Sequence, residues 1–205
     1  MTDFSSSLKI NKYPFSFNSG YQNNDYIKEN WPIVYILMNT KTKQTYVGES
    51  TTGLKRLTSH LNNSQRNHSD KLLVITSNKF NKSATLFIES ELIQKMDGDK
   101  KYKVANGNSG LTGKDKNFFQ KDKYKTLFYE IWDRLLNEGY AKNTIKRIEN
   151  ADDFKFSPFK SLTNDQKNAV ISILKLLNKD NQSRIFIDGG AGSGKTILAI
   201  YLMKL

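Results

Sequence analysis

The stretch from Ile33 to Leu61, IVYILMNTKTKQTYVGESTTGLKRLTSHL, decides the fold. Its first part, Ile33 to Leu37, is apolar and β-branched. It lies between Pro32 and the polar cluster Asn39-Thr40-Lys41, which predicts a strand followed by a turn. A second short strand is predicted from Thr45 to Gly48, close enough along the chain to pair with the first as a hairpin.

A helix is predicted to follow the hairpin, from about Leu54 to Leu61. Its leucines recur at helical spacing and predict the buried stripe, which consists of Leu54, Leu57 and Leu61. Arg56 and His60 are four residues apart, so we expect them to stand together on an adjacent face of this helix.

The hairpin and helix together carry side chains suited to phosphodiester cleavage: Tyr35, Tyr46, Arg56 and His60. A phenol near a cation can position or deprotonate a water molecule. A fixed guanidinium matches the geometry of a phosphate through two parallel hydrogen bonds. A metal-binding carboxylate is still missing from this group, and the chain supplies a candidate further on.

That candidate is Glu89. A third strand is predicted from Lys71 to Thr76, and a helix from Ala84 to about Met96. On this helix Glu89 falls on an otherwise apolar stripe with Leu86 and Ile93, where a carboxylate is costly unless it meets a cation, a metal or hydrogen-bond donors. Glu91 points elsewhere and is interpreted as an ordinary surface charge.

These residues resemble the GIY-YIG nuclease family. Ile33-Val34-Tyr35 stands where the first motif lies, with Ile33 in place of its glycine, and Tyr46-Val47-Gly48 stands where the second lies. The resemblance covers roughly residues 31 to 110. It implies a small α/β fold in which a three-stranded, mainly antiparallel sheet is flanked by helices.

The resemblance also implies a metal-dependent endonuclease that hydrolyses DNA. In that reading Glu89 binds Mg²⁺ or Mn²⁺, Arg56 clamps the scissile phosphate, Tyr35 activates water, Tyr46 positions it, and His60 orients substrate or relays a proton. An asparagine is expected after the Glu89 helix, and Asn106 is the match, with Asn108 as the alternative. An ordinary tyrosine pKa near 10 is too high for a base at neutral pH, so the metal or Arg56 must lower it.

Composition supports a polyanionic partner. The 205 residues carry a formal net charge of +12, and 27 of the 32 basic residues are lysines. Half of the net charge lies between Lys41 and Lys82, which favours nucleic acid, with DNA as the expected substrate. The absence of cysteine excludes disulfides and thiolate zinc sites. Without a signal peptide or a long apolar run, the sequence predicts a cytoplasmic protein with no membrane partner. The oligomeric state is left open.

A second motif lies near the carboxyl end. A strand is predicted from Arg184 to Asp188, followed by the G-x-x-x-x-G-K-T pattern and an apolar helix. The motif residues are Gly189, Gly190, Ala191, Gly192, Ser193, Gly194, Lys195 and Thr196. Backbone N–H groups of such a loop wrap the phosphates of ATP, Lys195 would reach the β and γ phosphates, and Thr196 would hold Mg²⁺.

Gln166 precedes this motif at the start of a helix that is predicted to end near Leu177. Thr163 and Gln166 have the spacing of a capping box, which is one interpretation. The other is that Gln166 resembles the adenine-reading glutamine of superfamily 1 helicases. The order of the two motifs resembles proteins that join a GIY-YIG nuclease to a Schlafen group 3-like DNA/RNA helicase domain. We therefore expect a fragment of a longer chain, without ATPase activity of its own.

The predicted organisation has four parts: an N-terminal strap (1–30), the nuclease domain (31–110), a helical extension and linker (111–158), and the truncated start of a P-loop NTPase (159–205). In the third part a helix from Lys121 to Gly139 has a buried aromatic stripe, and the residues after it are predicted to be irregular. The alternative function is a nucleic-acid-binding module that does not cleave and that targets an ATP-driven motor.

Overall fold

The computed structural model of the protein describes residues 5–17, 19–63, 68–106, 117–151, 164–177, 184–190 and 193–204. The strands are β1 (Lys9–Pro14), β2 (Ile33–Asn39), β3 (Gln44–Ser50), β4 (Lys71–Thr76) and β5 (Lys103–Val104). The helices are α1 (Asp25–Lys28), α2 (Gly53–Leu61), α3 (Lys82–Asp99), α4 (Lys121–Asn137), α5 (Ile145–Asn150), α6 (Asn164–Leu177) and α7 (Lys195–Lys204). The elements predicted between residues 33 and 96 all form, with the predicted bounds or slightly longer.

The fold is mixed α/β, as predicted, and its strands form a five-stranded sheet in the order β1-β4-β2-β3-β5. Strands β4, β2 and β3 are antiparallel and confirm the predicted three-stranded core of the sheet. Two edge strands were not predicted: β1 pairs antiparallel with β4, and β5 pairs parallel with β3. The sequence of β1, KINKYP, has no clean alternation, and β5 has two residues, so neither carries a periodic signal.

Side chains alternate between the two faces of this sheet. One face, which we call the tyrosine face, is covered by α2 and by the segment before β2. Its buried side chains are Phe15, Tyr21, Ile27, Ile33, Tyr35, Leu37, Tyr46, Leu57, Leu61, Leu72 and Val74. The opposite face, the helix face, is covered by α3, α4 and α5. Its buried strand residues include Val34, Ile36, Met38, Val47, Leu73 and Ile75.

The buried stripe of α2 differs from the predicted one. Leu57 and Leu61 are buried as expected, but Leu54 is 40% exposed. The buried positions are instead Gly53, Leu57, His60 and Leu61, which is a helical stripe rotated relative to the leucines. The rotation brings His60 to the sheet. A histidine inside the stripe is polar, so hydrophobic periodicity gives no signal for it.

Helix α3 crosses the helix face and is buried on nearly all sides, because the sheet lies on one side and α4 and α5 on the other. Asn81 caps its start by accepting a hydrogen bond from the Ala84 N–H at 2.9 Å. Glu91 is half-buried rather than a plain surface charge. None of the helices in the described residues is both long and apolar enough to span a membrane.

Helix α4 confirms the predicted aromatic stripe as core. Its buried residues are Tyr124, Leu127, Phe128, Ile131, Trp132 and Leu135. The expectation that the following residues are irregular is wrong for α5. Thr144 caps this helix, and Ile145 and Ile148 are buried against the helix face. Two apolar residues in six are too few to show helical periodicity, so the core contact determines this helix.

The predicted strand from Arg184 to Asp188 is not formed. Residues 184–190 have no strand assignment, and none of the described strands pairs with them. A β-strand is stabilised by hydrogen bonds to a neighbouring strand, so an apolar segment that has no such neighbour does not form a strand. The helices on either side form as predicted. Buried side chains from both, Val170, Ile173 and Leu198, pack with Ile185 and Ile187.

Candidate active site

Tyr35 lies across Gly48. The two residues are directly paired in the β2–β3 ladder, and the Tyr35 side chain is fully buried. A Cβ atom at position 48 would lie 2.3 Å from both Cζ and the hydroxyl oxygen of Tyr35. The glycine is therefore required for the close approach of the ring. It does not end or turn the strand, since β3 continues to Ser50.

The Tyr35 hydroxyl group joins the two predicted residues of α2. Its oxygen is 2.7 Å from His60 Nε2, and Arg56 Nε donates a hydrogen bond to it at 3.3 Å. With Arg56 donating to this oxygen, the phenolic proton is directed to His60 when the ring carries its own proton on Nδ1. Arg56 and His60 therefore lie together, as predicted, and both contact the hydroxyl oxygen of Tyr35.

Tyr46 completes an aromatic cluster around His60. Its ring centroid is 5.2 Å from that of His60 and 6.4 Å from that of Tyr35. Arg56 also forms a side-chain hydrogen bond with Tyr46. The guanidinium is therefore bonded to both phenols, and these two bonds do not use all five of its N–H donors.

Glu89 reaches the same region from the helix face. Its carboxylate accepts a hydrogen bond from the backbone N–H of Glu49 in β3, and it interacts electrostatically with Arg56 and with Tyr35. Burial, together with the charge of Glu49, raises the pKa of Glu89 to about 7, although the Glu49 N–H hydrogen bond and the charges of Lys82 and Arg56 partly oppose the rise. A carboxylate whose ionised form is disfavoured in this way gains from a bound cation.

Asn106 closes the outer edge of β3. Its side-chain oxygen accepts a hydrogen bond from Val47 N–H at 2.9 Å, and its side-chain nitrogen donates to Val47 C=O at 2.6 Å. The carboxamide thus acts as one more paired residue beyond the two-residue strand β5. These bonds hold the strand that carries Tyr46 and Gly48, and the expected role of Asn106 beside the metal stays a prediction. The alternative, Asn108, lies outside the described residues.

Glu49 is a site residue that the sequence analysis missed. Its carboxylate bonds Lys82 Nζ at 2.5 Å and Thr85 Oγ1 at 3.2 Å, both from α3. Its backbone N–H donates a hydrogen bond to the Glu89 carboxylate, and its charge raises the pKa of Glu89. The signal available was its place directly after the second motif, but an acid there looks like any exposed strand residue.

The pKa of Tyr35 moves opposite to the expectation. Burial raises it well above the ordinary range, and the neighbouring Tyr46 adds to this effect. The Arg56 hydrogen bond and charge lower it, as predicted, but by less than burial raises it. Tyr35 is therefore a neutral phenol at physiological pH, able to pass on a proton but unable to act as a preformed phenolate base.

A divalent metal is compatible with this donor set. The described residues contain no cluster of three or more histidine, cysteine or acidic side chains that could form a closed cage. Glu89 supplies one partly buried carboxylate with a raised pKa. A hard cation such as Mg²⁺ keeps several waters and binds through one or two carboxylates plus substrate phosphate, so Glu89 fits the group implied by the fold.

The second motif is described in part. Ala191 and Gly192 lie outside the described residues, as does Thr163 of the capping-box interpretation. Lys195 Nζ donates to the carbonyl oxygens of Gly189 and Gly190 at 2.6 and 2.9 Å, so its amine lies against the backbone of these two glycines. Thr196 is exposed at the start of α7.

Gln166 is brought to the same loop by α6. Its Nε2 donates to Ser193 C=O at 2.9 Å, and a Cβ at Gly194 would lie 2.4 Å from that nitrogen. Gly194 also has a positive φ of 84°, a conformation that favours glycine. Gln166, Ser193 and Gly194 line a cavity of about 150 Å³. Asp188 and Lys195 are also part of its lining.

Comparison with known families identifies the class of this domain. Residues 32–103 match the family model of the GIY-YIG catalytic domain. The matched range contains Tyr35, Tyr46, Arg56, His60 and Glu89, while Asn106 lies just beyond it. Residues 32–103 are therefore similar to the catalytic domain of this nuclease family, and the five-stranded α/β fold is consistent with that similarity.

No curated protein and no solved structure matches the chain. The family match ends before residues 159–205, so the helicase resemblance and the ATP site stay predictions.

Proposed function

We propose that the protein is a metal-dependent endonuclease that hydrolyses phosphodiester bonds in DNA. The observation that carries the proposal is the shared hydroxyl oxygen of Tyr35, which contacts both His60 and Arg56 and lies within electrostatic reach of Glu89. A phenol, an imidazole, a guanidinium and an acid on three different elements converge there. The formal net charge of +12 supports a polyanionic substrate.

Arg56 binds the scissile phosphate. Its Nε is held by Tyr35 and its side chain also bonds Tyr46, so its direction is fixed before substrate arrives. A guanidinium fixed in this way stabilises the negative charge that develops on the phosphate oxygens in the transition state, which is worth about 10²- to 10³-fold in rate for one donor.

Tyr35 and His60 move the proton of the attacking water. The Tyr35 oxygen accepts the water proton while its own proton passes to His60 Nε2 at 2.7 Å, so a phenolate is never needed. This route agrees with the raised pKa of Tyr35. Tyr46 packs on His60 and orients the ring. A divalent cation held by Glu89 would supply Lewis-acid polarisation of the phosphate.

The test is cleavage of supercoiled plasmid DNA by the 205-residue chain with Mg²⁺ or Mn²⁺, and with EDTA as the metal-free reference. We expect nicked and linear products with either metal and none with EDTA. Glu89→Gln abolishes cleavage, whereas Glu91→Gln, two residues away on the same helix, retains it. Plasmid that stays intact in both metals but is retarded on a gel would show a binding module without cleavage. A competition arm with single-stranded RNA decides between DNA and RNA.

We also propose that residues 189–196 bind the phosphates of ATP. The support is the position of the Lys195 amine against the backbone of Gly189 and Gly190 and the contact of Gln166 with Ser193. Fluorescent ATP should bind in the presence of Mg²⁺, and Lys195→Ala should remove binding. Equal binding by the variant contradicts this assignment and leaves the nuclease proposal untouched.

A further inference from the structure

A side chain at Gly53, the first residue of α2, would overlap with a buried neighbour. A Cβ atom built at this position would lie 2.8 Å from Cδ1 of Ile33 and 3.5 Å from Cγ1 of Ile27. Ile33 and Ile27 are both fully buried, so neither can swing into solvent to make space. The terminal methyl group of Ile33 therefore fills the volume that a side chain at position 53 would occupy.

The two positions are complementary in size. Ile33 stands where the first motif of the resembled family has a glycine, and Gly53 stands opposite it without a side chain. Protein interiors tolerate few voids and few overlaps, so a large residue on one side of a contact requires a small one on the other. In this chain the large residue, Ile33, is on β2, and the small residue, Gly53, is on α2.

This contact joins the two elements that carry the site. Tyr35 lies two residues after Ile33 on β2, on the same face of the sheet. Arg56 and His60 lie three and seven residues after Gly53 on α2. A helix moves as a nearly rigid rod with a rise of about 1.5 Å per residue, so a displacement at its first residue reaches both side chains.

The segment before β2 holds α2 from the other side. Ile27, in α1, is the second side chain that a Cβ atom at position 53 would meet. Tyr21 hydrogen-bonds the side chain of Thr58 in the middle of α2 and is itself buried. Two turns of α2 are therefore fixed against residues that precede the matched catalytic domain.

We propose that Ile33, Gly53 and Ile27 form an interlock that positions α2, and that this interlock aligns Arg56 and His60 on the Tyr35 hydroxyl group. The three are positioning residues, since none of them contacts the reacting atoms. The inference rests on the proposed function for its catalytic consequence. It makes residues 21–27 part of the support of the active site.

The experiment is a double-mutant cycle in the 205-residue chain. Gly53→Ala overlaps with Ile33 and should lower kcat by about tenfold to a hundredfold with little change in KM for DNA, as expected when reacting groups are displaced by a fraction of an ångström to 1 Å. Ile33→Val removes the Cδ1 atom in question. The double variant should recover at least half of the lost kcat, because the added methyl then occupies the space that was vacated.

A spectroscopic readout separates this inference from the nuclease proposal. The chain has two histidines, so ring signals of His60 are assigned by comparison with His68→Gln. The His60 signals should shift in Gly53→Ala and return in the double variant, even if the wild-type chain cuts no DNA. If the wild type does not cleave DNA, the proposed function is wrong, and the His60 signals alone then test this inference.

Two controls isolate the interlock. Ile36→Val removes the same atom from the same strand on the helix face, and Ser59→Ala changes an exposed position of α2. Neither should move the His60 signals. If Gly53→Ala does not fold, Ile33→Val alone replaces it, because it removes the methyl group that lies against position 53, and it should shift the same signals. A Gly53→Ala variant with normal kcat and normal His60 signals overturns the inference, and so does a loss that Ile33→Val fails to rescue.

Discussion

The two faces of the sheet bury different kinds of side chain. The helix face packs aliphatic strand residues against α3, α4 and α5, and its largest buried side chain is Trp132. The tyrosine face has fewer buried apolar side chains and contains phenols and an imidazole, including the hydrogen-bonded pair Tyr35 and His60. The helix face contributes most of the apolar burial, and the tyrosine face keeps buried polar groups paired for chemistry. Substitutions on the two faces should therefore affect different measurements.

The largest expected effect is on the tyrosine face. Arg56→Ala removes the fixed guanidinium and should lower kcat for plasmid cleavage by about 10²- to 10³-fold. Its melting temperature should stay close to that of the wild type, because Arg56 is exposed apart from its bonds to the two phenols. Arg147→Ala, which changes an exposed arginine on α5, is the control. Equal losses in both variants would mean that Arg56 acts only through general charge.

The reverse pattern is expected on the helix face. Trp132→Ala deletes a fully buried ring whose Nε1 donates to Asn143 C=O at 3.0 Å, and should cost about 3–5 kcal/mol in the free energy of unfolding. The rate per folded molecule should be unchanged below the melting temperature. Urea unfolding and cleavage are measured on the same sample. Tyr129→Ala, 41% exposed on the same helix, should change stability little.

A smaller effect is expected at the edge where the two faces meet. Asn106→Ala leaves the N–H and C=O of Val47 without their partners, at a cost of about 1–3 kcal/mol. Since Val47 lies between Tyr46 and Gly48, kcat should also fall, which Asn150→Ala should not cause. Hydrogen exchange of the Val47 amide gives the direct measurement. A protected Val47 amide in Asn106→Ala would contradict the pairing.

The smallest effect concerns the pH dependence of stability. The folded-state pKa of Glu89, about 7, is raised above its ordinary value of 4.5, so its contribution to stability is present below about 4.5 and is lost as pH rises towards 7. The metal-free wild type should therefore melt a few degrees lower at pH 8 than at pH 5, relative to Glu89→Gln. Scanning calorimetry in EDTA measures this difference. Adding Mg²⁺ at pH 8 should stabilise the wild type and leave Glu89→Gln unaffected.

Sequence patterns predicted some elements of the fold and missed others, and particular residues show why. The hairpin, α2, α3 and the stripe of α4 were predicted because their signals lie within a few residues of one another. Leu54 was placed inside and is exposed, because the competing buried position is the polar His60. Strands β1 and β5 were missed, since an edge strand depends on its partner more than on its own composition. The strand before the second motif did not form for the same reason.

The site divides in the same way. The sequence by itself determined which reactive residues exist, their order, and the class of chemistry they suit, because the two motifs and their spacing are local properties of the chain. Only the tertiary structure decided that Glu89 bonds Glu49 N–H and Asn106 bonds Val47, two residues of β3. It also decided that Glu49 raises the pKa of Glu89 and that Ile33 lies against Gly53. Those outcomes depend on burial and on contacts between distant segments, and neither exists until the sheet and its helices have packed.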